Sequence, residues 1–227
     1  MKKGWQVALL ITLILVADQA LKIYIKTHFA LQEEHNILGR FFRLHFVENA
    51  GMAWGWKFGG DFGKIVLTLF RMIAVILGVF YLGSIIKKKY HPGFIMCAAL
   101  IFAGAAGNLI DSMFYGLIFS NSDYYIHNIA VMFPPQGGYA GFLHGQVVDM
   151  LYFPIIQTHY PSWFPVWGGQ EFEFFSPVFN LADASISVGV IAILLWQKKF
   201  FPHKKAATNT DVPIVSTTTA PIINENL

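Results

Sequence analysis

Four stretches of the chain are apolar enough and long enough to cross a membrane as helices, since a span needs about 20 mostly apolar residues. They are residues 5–25, 65–86, 94–114 and 178–196. Apolar residues make up 55% of the sequence and charged residues 13%, roughly half the charged share of an average soluble domain. The sequence therefore predicts a mainly α-helical membrane protein with four transmembrane helices. A coiled coil, a disordered chain and a nucleic-acid-binding module are excluded.

The first apolar run has one alternative interpretation, because Lys2 and Lys3 precede it as they would precede a cleavable signal peptide. Its apolar part is longer than the usual stretch of about 7–15 residues, and no Ala-x-Ala cleavage site follows. The sequence favours a first helix that is retained.

The positions of the lysines predict the orientation, because cytoplasmic loops are rich in Lys and Arg. Lysines lead the chain, occupy 87–89 and follow the fourth run, whereas 112–177 contains neither Lys nor Arg. Both termini are therefore predicted to be cytoplasmic, and the connections 28–63 and 115–177 to lie outside. Residues 1–202 are predicted to form one transmembrane domain, followed by a disordered cytoplasmic tail at 203–227.

Polar side chains interrupt the runs, and a rise of about 1.5 Å per residue places them all in the outer part of the bilayer. They are Asp18, Lys22, Arg71, Asn108, Asp111, Asn180 and Asp183. Ionisable groups within a membrane are costly and indicate function by default. Two structural alternatives stay open. The amides could form helix–helix hydrogen bonds, and Asp18 and Lys22, four residues apart, could form a neutralising ion pair.

The pattern Asn-Leu-x-Asp occurs twice, at 108–111 and 180–183. Residues three apart share a helix face, so each Asn is predicted to point with its Asp, with Ser187 one turn beyond the second copy. In hydrocarbon such faces must turn to protein or water. Two outer segments add Asn49, among small residues, and Asp149, between apolar residues.

Asp149 and Asp183 are predicted to face each other at the outer interface. Two close carboxylates do not both ionise easily, so one keeps its proton. The ionised partner can take a proton from water, while the neutral one polarises a carbonyl and later protonates the leaving amine. This is aspartic protease chemistry, for which no metal or other cofactor is expected. The sequence has no His-Glu-x-x-His or Gly-x-Ser-x-Gly motif, and Cys97 is predicted to be a small core residue.

Five blocks between about residues 15 and 190 resemble, in order, those of lipoprotein signal peptidase, also called signal peptidase II. They are Asp18-Gln-Ala-Leu-Lys22, Asn49-Ala-Gly-Met-Ala-Trp-Gly55, Gly104-Ala-Ala-Gly-Asn-Leu-Ile-Asp111, Gly145-Gln-Val-Val-Asp149 and Phe179-Asn-Leu-Ala-Asp183. Each block alone is a weak signal. Five in order, on four spans of matching orientation, are specific.

The resemblance implies a multi-pass aspartic endopeptidase of the bacterial cytoplasmic (inner) membrane. Such an enzyme removes the signal peptide of a prolipoprotein by cleaving before its diacylglyceryl-modified Cys. Asp149 and Asp183 would be the catalytic pair near the outer face, with Asp111 as the alternative catalytic residue. Substrate binding or orientation of the aspartates would fall to Asn49, Gly51, Asn108, Asp111 and Asn180, and structural support to Asp18, Lys22, Asp111 and, by our hypothesis below, Arg71.

The resemblance also implies a small extracytoplasmic β-cradle, to which residues 43–48 are expected to contribute. The expected partners are diacylglyceryl-modified prolipoproteins and membrane lipid, with no nucleic acid, and the protein is expected to be a monomer.

The sequence departs from the family pattern in two ways. The family Arg after the third block is Ser112 here, and we hypothesise that Arg71, at a similar depth, takes over its charge role. The segments 116–144 and 155–170 lengthen the outer connections beyond those usual in the family. Their Tyr, Phe, Trp, Pro and Gly content predicts an aromatic cap at the interface, and the alternative is a neutral loop insertion.

Two other classes of function stay open from the residues alone. One is a small transporter or proton-linked channel that uses the buried Asp and Asn groups. An inner half lined by apolar residues argues against an ion path. The other is a non-catalytic assembly factor, which would not need two aspartates at one depth. The enzyme is the favoured interpretation.

Overall fold

A computed structural model describes residues 2–39, 41–49, 60–154, 156–174 and 177–201. Four helices in it are long and apolar enough to cross a membrane, which confirms the predicted architecture. They are α1 (Lys2–His28), α2 (Gly60–Lys87), α3 (Pro92–Ile118) and α4 (Leu181–Phe200). Of the predicted features, Gly51 and the tail at 203–227 lie outside the described residues.

Helix α3 is the centre of the bundle and packs against each of the other three helices. Small residues on α3 allow this close approach. A Cβ at Gly107 would lie 2.8 Å from Asp18 Oδ2, and one at Gly104 would clash with the backbone oxygen of Ala182. The glycines that the third sequence block contains therefore bring α1 and α4 up to α3.

The outer surfaces of the helices carry large apolar side chains. Leu13 on α1, Phe70 and Phe80 on α2, and Leu195 on α4 are all more than half exposed. A soluble protein rarely exposes apolar surface on this scale. These faces are suited to contact with lipid.

The strands that follow α1 and α3 form a four-stranded antiparallel sheet and a separate hairpin. In chain order they are β1 (Glu34–Leu38), β2 (Phe42–Asn49), β3 (Val147–Tyr152), β4 (Ile156–His159), β5 (Glu171–Phe174) and β6 (Val178–Phe179). The sheet has the order β1-β2-β3-β6, and β4 pairs with β5 alone. The expected strand at 43–48 is thereby confirmed within β2.

The fourth predicted span begins too early. Val178 and Phe179 pair with Tyr152 and Leu151 as strand β6 and are not helical. Asn180 has an extended backbone and caps the helix, so α4 begins only at Leu181. Because this strand is as apolar as the helix, the hydropathy pattern does not separate the two. The boundary is set by the capping residue Asn180.

Two apolar clusters enclose the polar residues from either end. One lies near the lysine-rich ends of the helices and includes the buried Cys97, as predicted. The other lies beneath the sheet and contains Ile25, Phe29, Phe46, Tyr115, Phe119, Val148 and Met150. Asp18 on α1 and Asn108 and Asp111 on α3 fall between these clusters, whereas Lys26 on α1 lies within the second.

Candidate active site

Asp149 lies in the middle of β3 and is only 4% exposed. Its Oδ1 accepts a hydrogen bond from Asn180 Nδ2 at 2.7 Å, and its Oδ2 accepts one from Asn49 Nδ2 at 3.3 Å. Burial raises the pKa of Asp149 to about 7, and the charge of Asp183 adds to the rise, while the amide hydrogen bonds and Lys22 oppose it. This carboxyl group therefore holds a proton up to near-neutral pH.

Asp183 lies in the first turn of α4 and is held there by a capping box. Its backbone N–H donates to Asn180 Oδ1 at 2.9 Å, and its own Oδ2 accepts from the Asn180 N–H at 3.4 Å. The prediction that Asn180 and Asp183 share a helix face is therefore wrong in detail. Asn180 is the capping residue, which leaves its Nδ2 free to reach other partners.

Two amides join the aspartates into one hydrogen-bonded group. Asn108 Nδ2 donates to Asp183 Oδ1 at 2.7 Å, while Asn180 Nδ2 lies 2.7 Å from Asp149 Oδ1 and 3.0 Å from Asn108 Oδ1. Residues from α3, β3 and the start of α4 thus meet at one point. In this structure the asparagine side chains contact the two aspartates directly.

A buried lysine lies beneath this group. Lys22 Nζ contacts Asp111 Oδ2 at 2.7 Å, Asp18 Oδ2 at 2.8 Å and Asn108 Oδ1 at 2.9 Å. The predicted Asp18–Lys22 ion pair is confirmed, and Asp111 joins it. Asp18 Oδ1 also accepts the backbone N–H of Ala182 at 2.9 Å, so it supports the N-terminus of α4.

Asp111 is fully buried within α3. Besides Lys22, it contacts Gln19 Nε2 at 2.8 Å. Gln19 also accepts a hydrogen bond from Tyr115 Oη at 3.1 Å. These contacts direct the Asp111 carboxylate towards α1, whereas Asn108 on the same helix reaches Asp183.

Arg71 extends from α2 towards the same region. Its Nη1 donates to Ser112 Oγ at 3.1 Å, and that hydroxyl in turn donates to the backbone oxygen of Asn108 at 2.9 Å. A guanidinium group thus lies beside the position where the family pattern has Arg and this chain has Ser. This placement is the one that our Arg71 hypothesis requires.

Sequence reasoning did not assign a role to Gln19, Lys26 or Glu48. Gln19 is a polar residue inside a membrane span, which is itself a signal. Lys26 lies near a helix end, where a lysine usually extends to water, and its buried position depends on partners far away in the sequence.

The described residues contain no group of three or more His, Cys, Asp or Glu side chains arranged to hold a metal ion. The carboxylates at the site instead contact amides, a lysine and backbone N–H groups.

Comparison with known proteins identifies the family. The family model for Signal peptidase (SPase) II matches residues 10–199. A lipoprotein signal peptidase of Porphyromonas gingivalis is 48% identical over 194 residues, which cover 85% of this chain and 83% of that protein. One from Amoebophilus asiaticus is 35% identical over 197 residues, covering 86% and 78% respectively.

Solved structures support the fold. A bacterial membrane enzyme determined by the in meso method at 1.9 Å superposes with a TM-score of 0.53 at 23% identity, covering 86% of this chain and 94% of that one. A second, determined at 2.3 Å, gives a TM-score of 0.51 at 20% identity, covering 88% and 93%. With the family match over most of its length, the chain belongs to the signal peptidase II family, whose members are aspartic-type signal peptidases of the bacterial membrane.

Proposed function

We propose that this protein removes the signal peptide from lipid-modified prolipoproteins, with Asp149 and Asp183 as its catalytic pair. The observation that carries this assignment is the shared amide network, in which Asn108 and Asn180 hold both carboxylates. The pKa of Asp149, raised to about 7 by burial and by the neighbouring Asp183, supplies a carboxyl that keeps its proton near neutral pH. An aspartic protease requires this combination.

The two carboxyl groups have different roles in the mechanism: one accepts a proton and the other donates a hydrogen bond. The ionised aspartate takes a proton from a water molecule, and the resulting oxygen nucleophile attacks the scissile carbonyl carbon. The protonated aspartate hydrogen-bonds the carbonyl oxygen and stabilises the tetrahedral intermediate. When the C–N bond breaks, a proton passes to the leaving nitrogen, and the pair returns to one proton shared between two carboxylates.

We place the site near the outer face of the membrane, with both termini cytoplasmic. Lys87, Lys88 and Lys198 lie at one end of the helices, while the sheet and Asp149 lie at the other. The lysine-rich end is the cytoplasmic one by the positive-inside rule. The substrate then approaches within the bilayer, and its lipid anchor holds the scissile bond near the interface.

One chain supplies the complete site. Asp149, Asp183 and the amides that hold them all come from the same bundle, so we propose that the enzyme acts as a monomer.

The test is cleavage of a purified prolipoprotein in detergent, followed by mass spectrometry of both products. A cut immediately before the diacylglyceryl-modified Cys, with no cut in the unmodified precursor, is the expected result. Cleavage at another bond would overturn the assigned substrate. Solute flux in vesicles without any peptide product would favour the transporter, which the family membership disfavours.

A further inference from the structure

Lys26 is a fully buried lysine that the proposed mechanism does not use. It lies near the end of α1, one helical turn beyond Lys22. Its Nζ forms an ion pair with Glu48 of β2 and contacts Ser122 Oγ at 3.0 Å. A buried charge is costly unless it is well paired. The partners of Lys26 therefore merit a functional explanation.

Three aromatic rings complete the surroundings of Lys26. The centroids of Tyr139, Phe119 and Phe46 lie 5.0, 5.6 and 5.9 Å from its Nζ. Rings at such distances attract a cation through their electron-rich faces. Phe119, Ser122 and Tyr139 all belong to the long connection between α3 and β3.

Glu48 connects this cluster to the aspartates through the sheet. In the β2–β3 register Glu48 pairs with Val148, and Val47 pairs with Asp149. Neighbouring residues of a strand point to opposite faces. Glu48 thus faces Lys26 and the apolar cluster, while its neighbour Asn49 donates to Asp149 on the other face.

A second link runs from the same cluster to β3. Tyr139 Oη accepts the backbone N–H of Gln146 at 2.6 Å, immediately before β3 begins at Val147. The Tyr139 backbone N–H donates to the oxygen of Phe119 at 2.9 Å. The ring that covers Lys26 therefore also holds the segment that leads to Asp149.

We propose that Lys26 and Glu48 are positioning residues for Asp149. Their ion pair, enclosed by Phe119, Ser122 and Tyr139 of the long α3–β3 connection, holds β2 and β3 against α1 and so fixes the contact between Asn49 and Asp149. The long connection thereby contributes to catalysis through the geometry of the sheet. This inference rests on the proposed peptidase function.

The Lys26–Glu48 ion pair fixes the position of β2 because an unpaired buried charge is costly. If Lys26 loses its ammonium group, Glu48 must move towards water, and β2 moves with it. Asn49 is the next residue in the same strand, so its hydrogen bond to Asp149 lengthens. A displacement of about 1 Å in a reacting group can reduce turnover up to about a hundredfold.

The experiment compares steady-state cleavage by the wild type, Lys26→Met, Glu48→Gln and the double variant. We expect Lys26→Met to lower kcat about tenfold or more while KM stays within about twofold, because substrate contacts are retained. Glu48→Gln preserves the shape of the side chain and should lower kcat about threefold. The double variant, with no unpaired charge, should regain activity relative to Lys26→Met.

A double-mutant cycle between Lys26→Met and Asn49→Ala provides the readout that a purely structural role would not change. Asn49→Ala should reduce kcat in the wild type and have little further effect when Lys26 is already Met. Additive losses, or an unchanged kcat in Lys26→Met, would overturn the proposal. If Lys26→Met does not fold, the same cycle with Glu48→Gln decides the question.

Two control variants distinguish failure of the positioning role from failure of the proposed peptidase function. Glu34→Gln removes the Glu34–Arg43 ion pair, which joins β1 to β2 at 2.8 Å on the partly exposed edge of the sheet, and should leave kcat unchanged. Asp149→Asn reports on the proposed function itself. If the wild type cleaves and Asp149→Asn does not, a negative result at Lys26 refutes only the positioning role.

Discussion

The pattern Asn-Leu-x-Asp occurs on both α3 and α4, and the two copies have different surroundings. Asp111, in the interior of α3, contacts Lys22 at 2.7 Å and is fully buried. Asp183, in the first turn of α4, accepts hydrogen bonds from the Asn108 amide and from a backbone N–H. Asp111 is thus paired with a buried cation, whereas Asp183 shares an amide network with Asp149.

The sequence pattern supplies the same chemical groups in both copies, and their position along the helix decides their use. An aspartate at a helix N-terminus is held by the capping box and by the helix dipole, and the charge of the Arg71 guanidinium also acts on Asp183. An aspartate in the middle of a membrane helix has no free backbone N–H nearby and needs a cation. We call Asn108 and Asp111 the α3 pair, and Asn180 and Asp183 the α4 pair.

The largest effect should come from removing the cation of the α3 pair. Lys22→Met leaves the buried carboxylates of Asp18 and Asp111 uncompensated, which should cost about 3–5 kcal/mol of stability. We expect little folded protein in detergent, measured by size-exclusion chromatography and thermal unfolding. The partly exposed ion pair of Glu34 and Arg43 is the matched control, because Glu34→Gln should unfold within a few degrees of the wild type. A Lys22→Met variant as stable as the wild type would remove the distinction between the two pairs.

The next effect concerns the amide of the α4 pair. Asn180→Ala removes the helix cap and the 2.7 Å hydrogen bond to Asp149. Loss of the cap should lower stability by about 1 kcal/mol, and loss of the hydrogen bond should lower kcat by about a hundredfold.

Asn180→Ser provides the matched variant, because serine also caps helices but is too short to reach Asp149. It should recover the stability and not the activity. Equal recovery of both would show that capping alone explains Asn180.

The proton on Asp149 predicts a dependence on pH. Its pKa of about 7 in the folded protein lies above the usual value of the unfolded chain. Between about pH 4 and pH 7 the folded state therefore binds the additional proton, and stability falls as the pH rises across that window. Asp149→Asn should be more stable than the wild type by roughly 4 kcal/mol at pH 8 and equal to it near pH 4.

Activity should follow the same group. Above about pH 7 the kcat/KM of the wild type should fall about tenfold per pH unit, because the protonated carboxyl is lost. It should also fall in acid as the pair takes up its second proton. Thermal unfolding and cleavage, measured from pH 4 to pH 9, check both statements. An activity that still rises above pH 8, with chemistry rate-limiting, would contradict the assignment.

The smallest effect should come from Arg71, which contacts Ser112 beside the α3 pair at 3.1 Å. Arg71→Ala should reduce cleavage about tenfold, because a hydrogen bond from a charged donor to a hydroxyl such as that of Ser112 contributes about 1.5 kcal/mol. Arg71→Lys keeps the positive charge but lacks the planar guanidinium, so its cleavage activity should lie between those of the wild type and Arg71→Ala. Full activity and stability of Arg71→Ala would end the hypothesis that Arg71 takes over the role of the family Arg.

Hydropathy predicted the helices because each span is a continuous local signal. It misplaced the start of α4, because Val178 and Phe179 are as apolar as the helix that follows. The hairpin of β4 and β5 also went unrecognised, since its Pro, Gly and aromatic content is typical of a loop.

The site residues were predictable where a polar group interrupts an apolar run. Asp18, Lys22, Asn108 and Asp111 share a depth by helical rise alone, and the structure brings them into direct contact. The Lys26–Glu48 pair was not predictable in this way. Its formation depends on the register of β2 and on the path of the long α3–β3 connection, neither of which follows from local pattern.

Whether Asp149 and Asp183 are the catalytic pair is decided by comparing three aspartates in one assay. Cleavage of a diacylglyceryl-modified prolipoprotein is measured for the wild type beside Asp149→Asn, Asp183→Asn and Asp111→Asn, with thermal unfolding of each. We expect the first two variants to fold and to lose activity by on the order of 10³-fold or more, and Asp111→Asn to be less stable but to retain measurable cleavage. Loss of all cleavage in a stable Asp111→Asn, with activity preserved in Asp149→Asn, would contradict this expectation and assign catalysis to the α3 pair.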